Sequence, residues 1–208
     1  MIVCGFPVGL LQANTYIVGN KKSGQAFVID PGAEAERILS VCADKKVVVK
    51  RILLTHAHPD HVGAAAALKS ATGATIHCHE AELPILRALP QMGQQIGMPN
   101  LEIPVVDQLL EDGQTISVES LSIKVIHTSG HSPGGLCFYA HPCLFTGDTL
   151  FQRSVGRTDL PGGDSAALIA SIRAKILTLE DDVVVLPGHN GKTSVGAERR
   201  QNPFLQRP

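Results

Sequence analysis

The chain has no tryptophan, and aromatic residues make up only 4% of it. Proteins that grip single-stranded nucleic acid stack bases on aromatic side chains, and this composition offers no such platform. Charge of one sign is also lacking: 18 Lys and Arg stand against 19 Asp and Glu, a formal net charge of −1. That gives no electrostatic case for a nucleic-acid partner or for an anionic membrane surface. No apolar run approaches the ~20 residues that a membrane-spanning helix needs. The first residues show no basic stretch and no cleavage site, so no secretory signal is expected. Cys4, Cys42, Cys78, Cys137 and Cys143 are odd in number and contain no C-x-x-C. A disulfide framework is not expected, and a reducing cytoplasm suits the chain better.

What is present is an ordinary globular composition. With 208 residues and 44% hydrophobic content, the chain is long enough for one substantial domain, expected to span 1–208. Ile2 to Val8, Thr15 to Val18 and Ala26 to Ile29 read as strands, separated by turn residues that include Asp30-Pro31-Gly32. Helical spacing is expected over Ala33 to Ala43, after the His-rich turn from Val62 to Lys69, and from about Glu80 to Leu89. Pro90 to Pro104, rich in Gly and Pro, reads as a long loop. Further strands are expected at Arg51 to Leu54, Thr75 to His79, Gln114 to Val118, Leu121 to Ile126, Leu136 to Ala140, Cys143 to Phe145 and Val183 to Leu186. Asp164 or Ser165 would cap a helix running to about Leu177. Each half offers strands first and strand–helix units later, which predicts an α/β fold of two sheets packed face to face with helices outside.

The densest signal is Thr55-His56-Ala57-His58-Pro59-Asp60-His61, placed between an apolar strand and an Ala-rich helix. Packing three imidazoles and a carboxylate together costs stability unless something pairs them. Imidazole and carboxylate are ligands for zinc and its first-row neighbours. One ion cannot easily use all four groups from so short a turn, so the spacing suggests two. Three more segments end a short strand in a Gly-containing turn that carries a ligand type. They are His127-Thr128-Ser129-Gly130-His131-Ser132-Pro133-Gly134-Gly135, Leu144-Phe145-Thr146-Gly147-Asp148-Thr149-Leu150, and Val184-Val185-Leu186-Pro187-Gly188-His189-Asn190.

In this order the motifs T-H-x-H-x-D-H, G-H-S-P-G, G-D-T-L-F and P-G-H resemble those of the metallo-β-lactamase superfamily of hydrolases. Gly156-Arg157-Thr158-Asp159 and the tail from Glu198 to Leu205 resemble its glyoxalase II-like branch, the hydroxyacylglutathione hydrolases. The resemblance implies a four-layer αββα sandwich of two mixed β-sheets with helices on the outer faces. It implies two divalent metal ions, zinc first and iron or manganese as alternatives. His56, His58 and His131 would hold one, Asp60, His61 and His189 the other, and Asp148 would bridge them. The implied activity is hydrolysis of a small thioester, S-D-lactoylglutathione or a similar acyl-glutathione, by a metal-activated water that Asp60 helps to orient. The implied alternatives are a mononuclear iron persulfide dioxygenase-like oxidoreductase and a lactonase or other ester hydrolase. Longer glyoxalase II enzymes carry a C-terminal helical extension that grips glutathione, whereas this sequence stops soon after Leu205.

Arg153 and Arg157 are candidate contacts for a substrate carboxylate, with a salt bridge from Arg157 to Asp159 or Asp164 as the competing reading. Lys192 and Arg199 are further candidates for an anionic substrate. His77 and His79 would share a strand face and are read as structural. His127 is read either as a support for a neighbouring ligand or as a packing residue, and His141 as a turn residue.

Overall fold

The computed structural model of the chain describes residues 1–206. Two six-stranded mixed sheets form its centre. In the first, β1 (Ile2–Val8), β2 (Ala13–Gly19) and β3 (Gln25–Ile29) form an antiparallel meander. β4 (Val48–Leu53), β5 (Thr75–Cys78) and β6 (Gln108–Leu109) then add on in parallel. Parallel neighbours need crossovers, and helices α1 (Ala35–Asp44), α2 (Pro59–Val62), α3 (Ala65–Thr72) and α4 (Leu83–Gln95) lie along them.

The second sheet pairs β7 (Thr115–Val118), β8 (Leu121–His127), β9 (Leu136–Ala140) and β10 (Cys143–Gly147) antiparallel in chain order. A short ribbon of β11 (Leu150–Phe151) and β12 (Ser154–Val155) follows, then α5 (Ser165–Ser171). β13 (Val184–Pro187) joins β10 in parallel, and β14 (Thr193–Ser194) and α6 (Val195–Gln201) close the chain's order.

Strand alternation sorts the core into three layers. On β4, Ile52 packs with Ile38 of α1 and Leu68 of α3, while Leu53 faces the space between the sheets. On β9, Leu136 and Phe138 face that same space, whereas Cys137 packs outward with Leu168 and Ile172. The result is helix, sheet, sheet, helix, as the motifs implied. Fully burying one such aliphatic side chain stabilises the fold by about 1.5–3 kcal/mol.

The structure differs from the sequence expectations in places with clear physical reasons. α4 runs through Pro90, where a loop was expected. Proline inside a helix costs ~3 kcal/mol. Here the helix is retained because Leu86, Leu89 and Gly93 bury one face, Leu86 and Leu89 in the outer core. β5 ends at Cys78, so His79 leaves the strand. Its Nδ1 accepts a bond from Ala81 N at 3.1 Å and caps a single 3₁₀ turn, Glu80–Glu82. His77 and His79 therefore do not share a sheet face. The capping role of Asp164 holds, with Oδ1 accepting from Ala167 N at 2.9 Å, and the helix continues past Ser171 as a π-helical turn, Ile172–Ile176. All five cysteines are free thiols. Among the described residues, no helix is long and apolar enough to cross a membrane.

Candidate metal centre

β4 lies between β3 and β5, and its carboxyl end delivers Thr55 to His61 to the rim of the first sheet. The turn is stiff. His58 is extended and precedes Pro59, which starts α2 with the fixed φ that a first helical turn prefers. His131 comes from the β8–β9 loop, Asp148 follows β10, and His189 follows β13. Two glycines make the approach possible. Gly147 has φ +47, and a Cβ there would overlap the Thr55 hydroxyl. A Cβ on Gly188 would overlap the Asp148 carboxylate and lie 2.7 Å from His61 Cε1.

The seven residues singled out in the sequence converge. The candidate ligand atoms of His56, His58 and His131 lie within 4.8 Å of one another, and so do those of Asp60, His61 and His189. Asp148 faces both groups, with Oδ1 3.4 Å from His61 Nε2, and Oδ2 3.7 Å from the Nε2 atoms of both His131 and His189.

Pairing among the polar atoms at the centre is incomplete. His131 Nε2 faces His58 Nδ1 at 2.9 Å, and His61 Nε2 faces His189 Nε2 at 3.3 Å. Among the described residues, His56 Nε2 and Asp148 Oδ1 are buried with no hydrogen-bond partner. Native proteins pair nearly all such atoms. Imidazole nitrogens turned toward one another, with an orphaned carboxylate oxygen between two groups of them, suit divalent metal ions.

Protonation follows the same division. Burial drives His56 well below the usual histidine value, helped by the neighbouring His61, His58 and His131. Burial first, then His131, brings His58 down to about 3. Burial also lowers His131, although Asp148 pulls the other way. These three imidazoles are neutral at physiological pH and keep lone pairs for a ligand role. Burial works against a charge on His61 too, but Asp148, Asp60 and Asp30 together lift it to about 10. His189 is raised as well: the bond to Asp60 and the charge of Asp148 outweigh burial. Asp60 is buried, yet His61 and His189 hold it below the carboxylate range. The carboxylates thus favour the charged form of these two histidines, which marks where the site calls for positive charge.

Three supports went unrecognised in the sequence. Asp30, in the Asp-Pro-Gly turn after β3, is buried and accepts from Thr55 N at 2.7 Å, Thr55 Oγ1 at 2.6 Å and His61 Nδ1 at 3.0 Å. Thr55 Oγ1 in turn lies 2.9 Å from His56 Nδ1, so one carboxylate orients two imidazoles. Such outer partners fix tautomer and ring orientation. Although Asp30 lies within reach of His56 and His61 as a third possible ligand group, its bonds to Thr55 and His61 mark it as a support. The Arg157 carbonyl accepts from His131 Nδ1 at 2.7 Å. Glu82 is fully buried and accepts from Ala57 N and Gly134 N, each at 2.7 Å. Parallel pairing of β3 with β4 brings Asp30 beside Thr55, and such pairing is not visible in a linear motif.

The other candidates separate. Arg157 forms a two-pronged exposed pair with Asp159, both contacts at 2.7 Å. Its backbone carbonyl bonds His131, so the residue borders the site. Arg153 donates through its backbone to Glu198 and through its side chain to Gln201. The Lys192 charge is felt at Cys143, at the end of β10 remote from Asp148. Arg199 holds the carbonyls of Leu177 and Leu179 and pairs with Asp181. His127 bonds the Pro133 carbonyl at 3.0 Å and stacks on His79 with ring centroids 4.3 Å apart. His141 meets the Tyr139 hydroxyl at a turn.

Residues 8–189 match the family model of the Metallo-beta-lactamase superfamily. The hydroxyacylglutathione hydrolase GloC of Haemophilus influenzae is 39% identical over 203 residues, covering 96% of this chain and 95% of its own. Among solved structures, the BLEG-1 B3 metallo-beta-lactamase is 37% identical, with a TM-score of 0.92 over 99% of this chain and 100% of that one. TTHA1623 in a di-iron-bound form is also 37% identical, with a TM-score of 0.87 and the same coverage. Motifs, four-layer architecture, ligand-like clusters and full-length similarity agree: the chain belongs to the metallo-beta-lactamase superfamily.

Proposed function

We propose that the chain is a single-domain, metal-dependent thioester hydrolase acting on S-D-lactoylglutathione or a similar small acyl-glutathione. His56, His58 and His131 would hold one divalent ion, Asp60, His61 and His189 a second, with Asp148 shared. The observation that carries this reading is Asp148 facing both histidine groups, Oδ1 toward His61 and Oδ2 toward His131 and His189. The activity of GloC supports the substrate class.

Divalent ions bound there would lower the pKa of water toward neutrality and polarise a carbonyl. The protein's own groups do the rest. Asp60 stays ionised beside His189, with Nε2 at 3.1 Å, and its carboxylate would orient a water as a hydrogen-bond acceptor. Asp30 and the Arg157 carbonyl fix the rings of His61 and His131 from behind. Beside His189 opens a cavity of about 340 Å³ lined by Pro7, Leu11, Gln12, Asn14 and Asn190. Its neutral walls suit a thioester's acyl and thiol arms. Arg157, exposed and paired with Asp159, would exchange that partner for a carboxylate of the substrate. The five free thiols support a reducing, cytoplasmic setting.

The experiment is a substrate screen on metal-reconstituted protein with metal content measured on the same preparation. Zinc is the expected ion. Loss of thioester with release of one thiol per turnover supports the reading, and no hydrolysis of any acyl-glutathione or other thioester refutes it. Asp60, His61 and His189 also form a two-imidazole, one-carboxylate set of the kind that iron oxygenases use. One iron per chain, with oxygen uptake on glutathione persulfide, would establish that second reading instead.

A further inference from the structure

The strongest unassigned feature is a carboxylate that bonds to site loops from both sheets without facing the centre. Glu82 ends the 3₁₀ turn before α4 and is fully buried. Oε2 accepts from Ala57 N, the peptide between His56 and His58. Oε1 accepts from Gly134 N, in the loop that carries His131. The first contact belongs to the sheet of β4, the second to the sheet of β8 and β9. Gly134 is shaped for this approach: a Cβ there would lie 2.8 Å from Glu82 Cγ and 3.0 Å from Oε1. A backbone bond from Leu136 N to Thr55 O, 2.7 Å, also spans the two sheets nearby. Glu82 is the side chain that ties the His56–His58 turn to the His131 loop. It makes no bond to Asp60, His61 or His189.

We propose that Glu82 is a positioning residue that sets the separation between the His56–His58 pair and His131, and so governs metal affinity at that group and not at Asp60, His61 and His189. The inference rests on the two-ion reading of the site. Two amide donors on one carboxylate fix both loops only while both oxygens accept. In Glu82→Gln one oxygen becomes an NH₂ group that confronts an amide N–H. One of the two loops is then released, although size and shape are kept. Support residues of this kind typically change metal affinity by about 10–100-fold.

The test measures cobalt(II) binding by competition with a chelator, read from the absorption spectrum of the bound ion, in two backgrounds. His189→Ala leaves the His56, His58 and His131 group as the complete set of three. His131→Ala leaves the Asp60, His61 and His189 group. Adding Glu82→Gln is expected to weaken binding about 10–100-fold in the first background and to leave it unchanged in the second. Glu82→Asp, too short to reach both amides, should act the same way, and thermal melting of the metal-free proteins reports whether each variant folds. Equal loss in both backgrounds, or none in the His189→Ala background, overturns the role of Glu82. Absence of cobalt binding in both backgrounds and in the parent protein overturns the two-ion reading beneath it.

Discussion

Asp30→Asn is the substitution with the most specific expected outcome. Three donors converge on this carboxylate: Thr55 N, Thr55 Oγ1 and His61 Nδ1. Asparagine keeps the volume but has one accepting oxygen and one NH₂. With the oxygen on the Thr55 amide, the NH₂ faces His61 Nδ1. In the neutral ring that metal binding requires, that nitrogen then has to accept, which puts the ring proton on Nε2, the atom that faces Asp148 and His189. With the amide turned the other way, NH₂ confronts the Thr55 N–H, and the peptide before His56 loses its anchor. Either orientation removes a charge-assisted bond, which costs about 1.5–3 kcal/mol. As binding energy that corresponds to roughly 10–100-fold. Competition titration against a chelator is therefore expected to show that much loss of metal affinity at the group containing His61. Thioester hydrolysis at limiting metal should fall in step, with the far-ultraviolet circular dichroism unchanged. Unchanged affinity in a folded Asp30→Asn protein would refute the tautomer argument.

Other expectations follow from the same geometry. Gly188→Ala pushes a methyl into the Asp148 carboxylate and His61, and kcat should fall about 100-fold with little change in melting temperature; a fully active variant would show that the centre is not as close-packed as described. Arg157→Ala should raise KM for an anionic thioester several-fold with metal content unchanged, because His131 is held by the Arg157 carbonyl and not by its side chain. Buried His77, pushed from 6.5 down to about 4 by burial and Arg51, stays neutral in the fold while the unfolded chain takes up a proton. Its stability contribution is complete above pH 6.5 and falls as pH drops toward 4, by about 2 kcal/mol at pH 5. Denaturant melts at pH 7 and pH 5 should show a smaller pH dependence in His77→Gln than in the parent, and parallel curves would contradict this.

The sequence made the centre legible and hid its supports for one physical reason. Ligands crowd on short turns, so His56, His58, Asp60 and His61 declare themselves within six consecutive residues, and Gly130, Gly147 and Gly188 flag the rest. Asp30 and Glu82 each act 25 residues away along the chain, on Thr55 and on Ala57. A lone Asp before Pro-Gly looks like a turn, and a lone Glu near a helix start looks like surface. Only parallel pairing and the helical crossover bring them under the site. The Pro90 helix was hidden for a related reason: local propensity argues for a break there, while burial of Leu86, Leu89 and Gly93 outweighs it.

Anomalous diffraction from crystals of the metal-reconstituted protein tests the central claim most directly. Two peaks are predicted, one bounded by His56, His58 and His131, the other by Asp60, His61 and His189, with Asp148 touching both. A single peak, or strong peaks away from these residues, would contradict it.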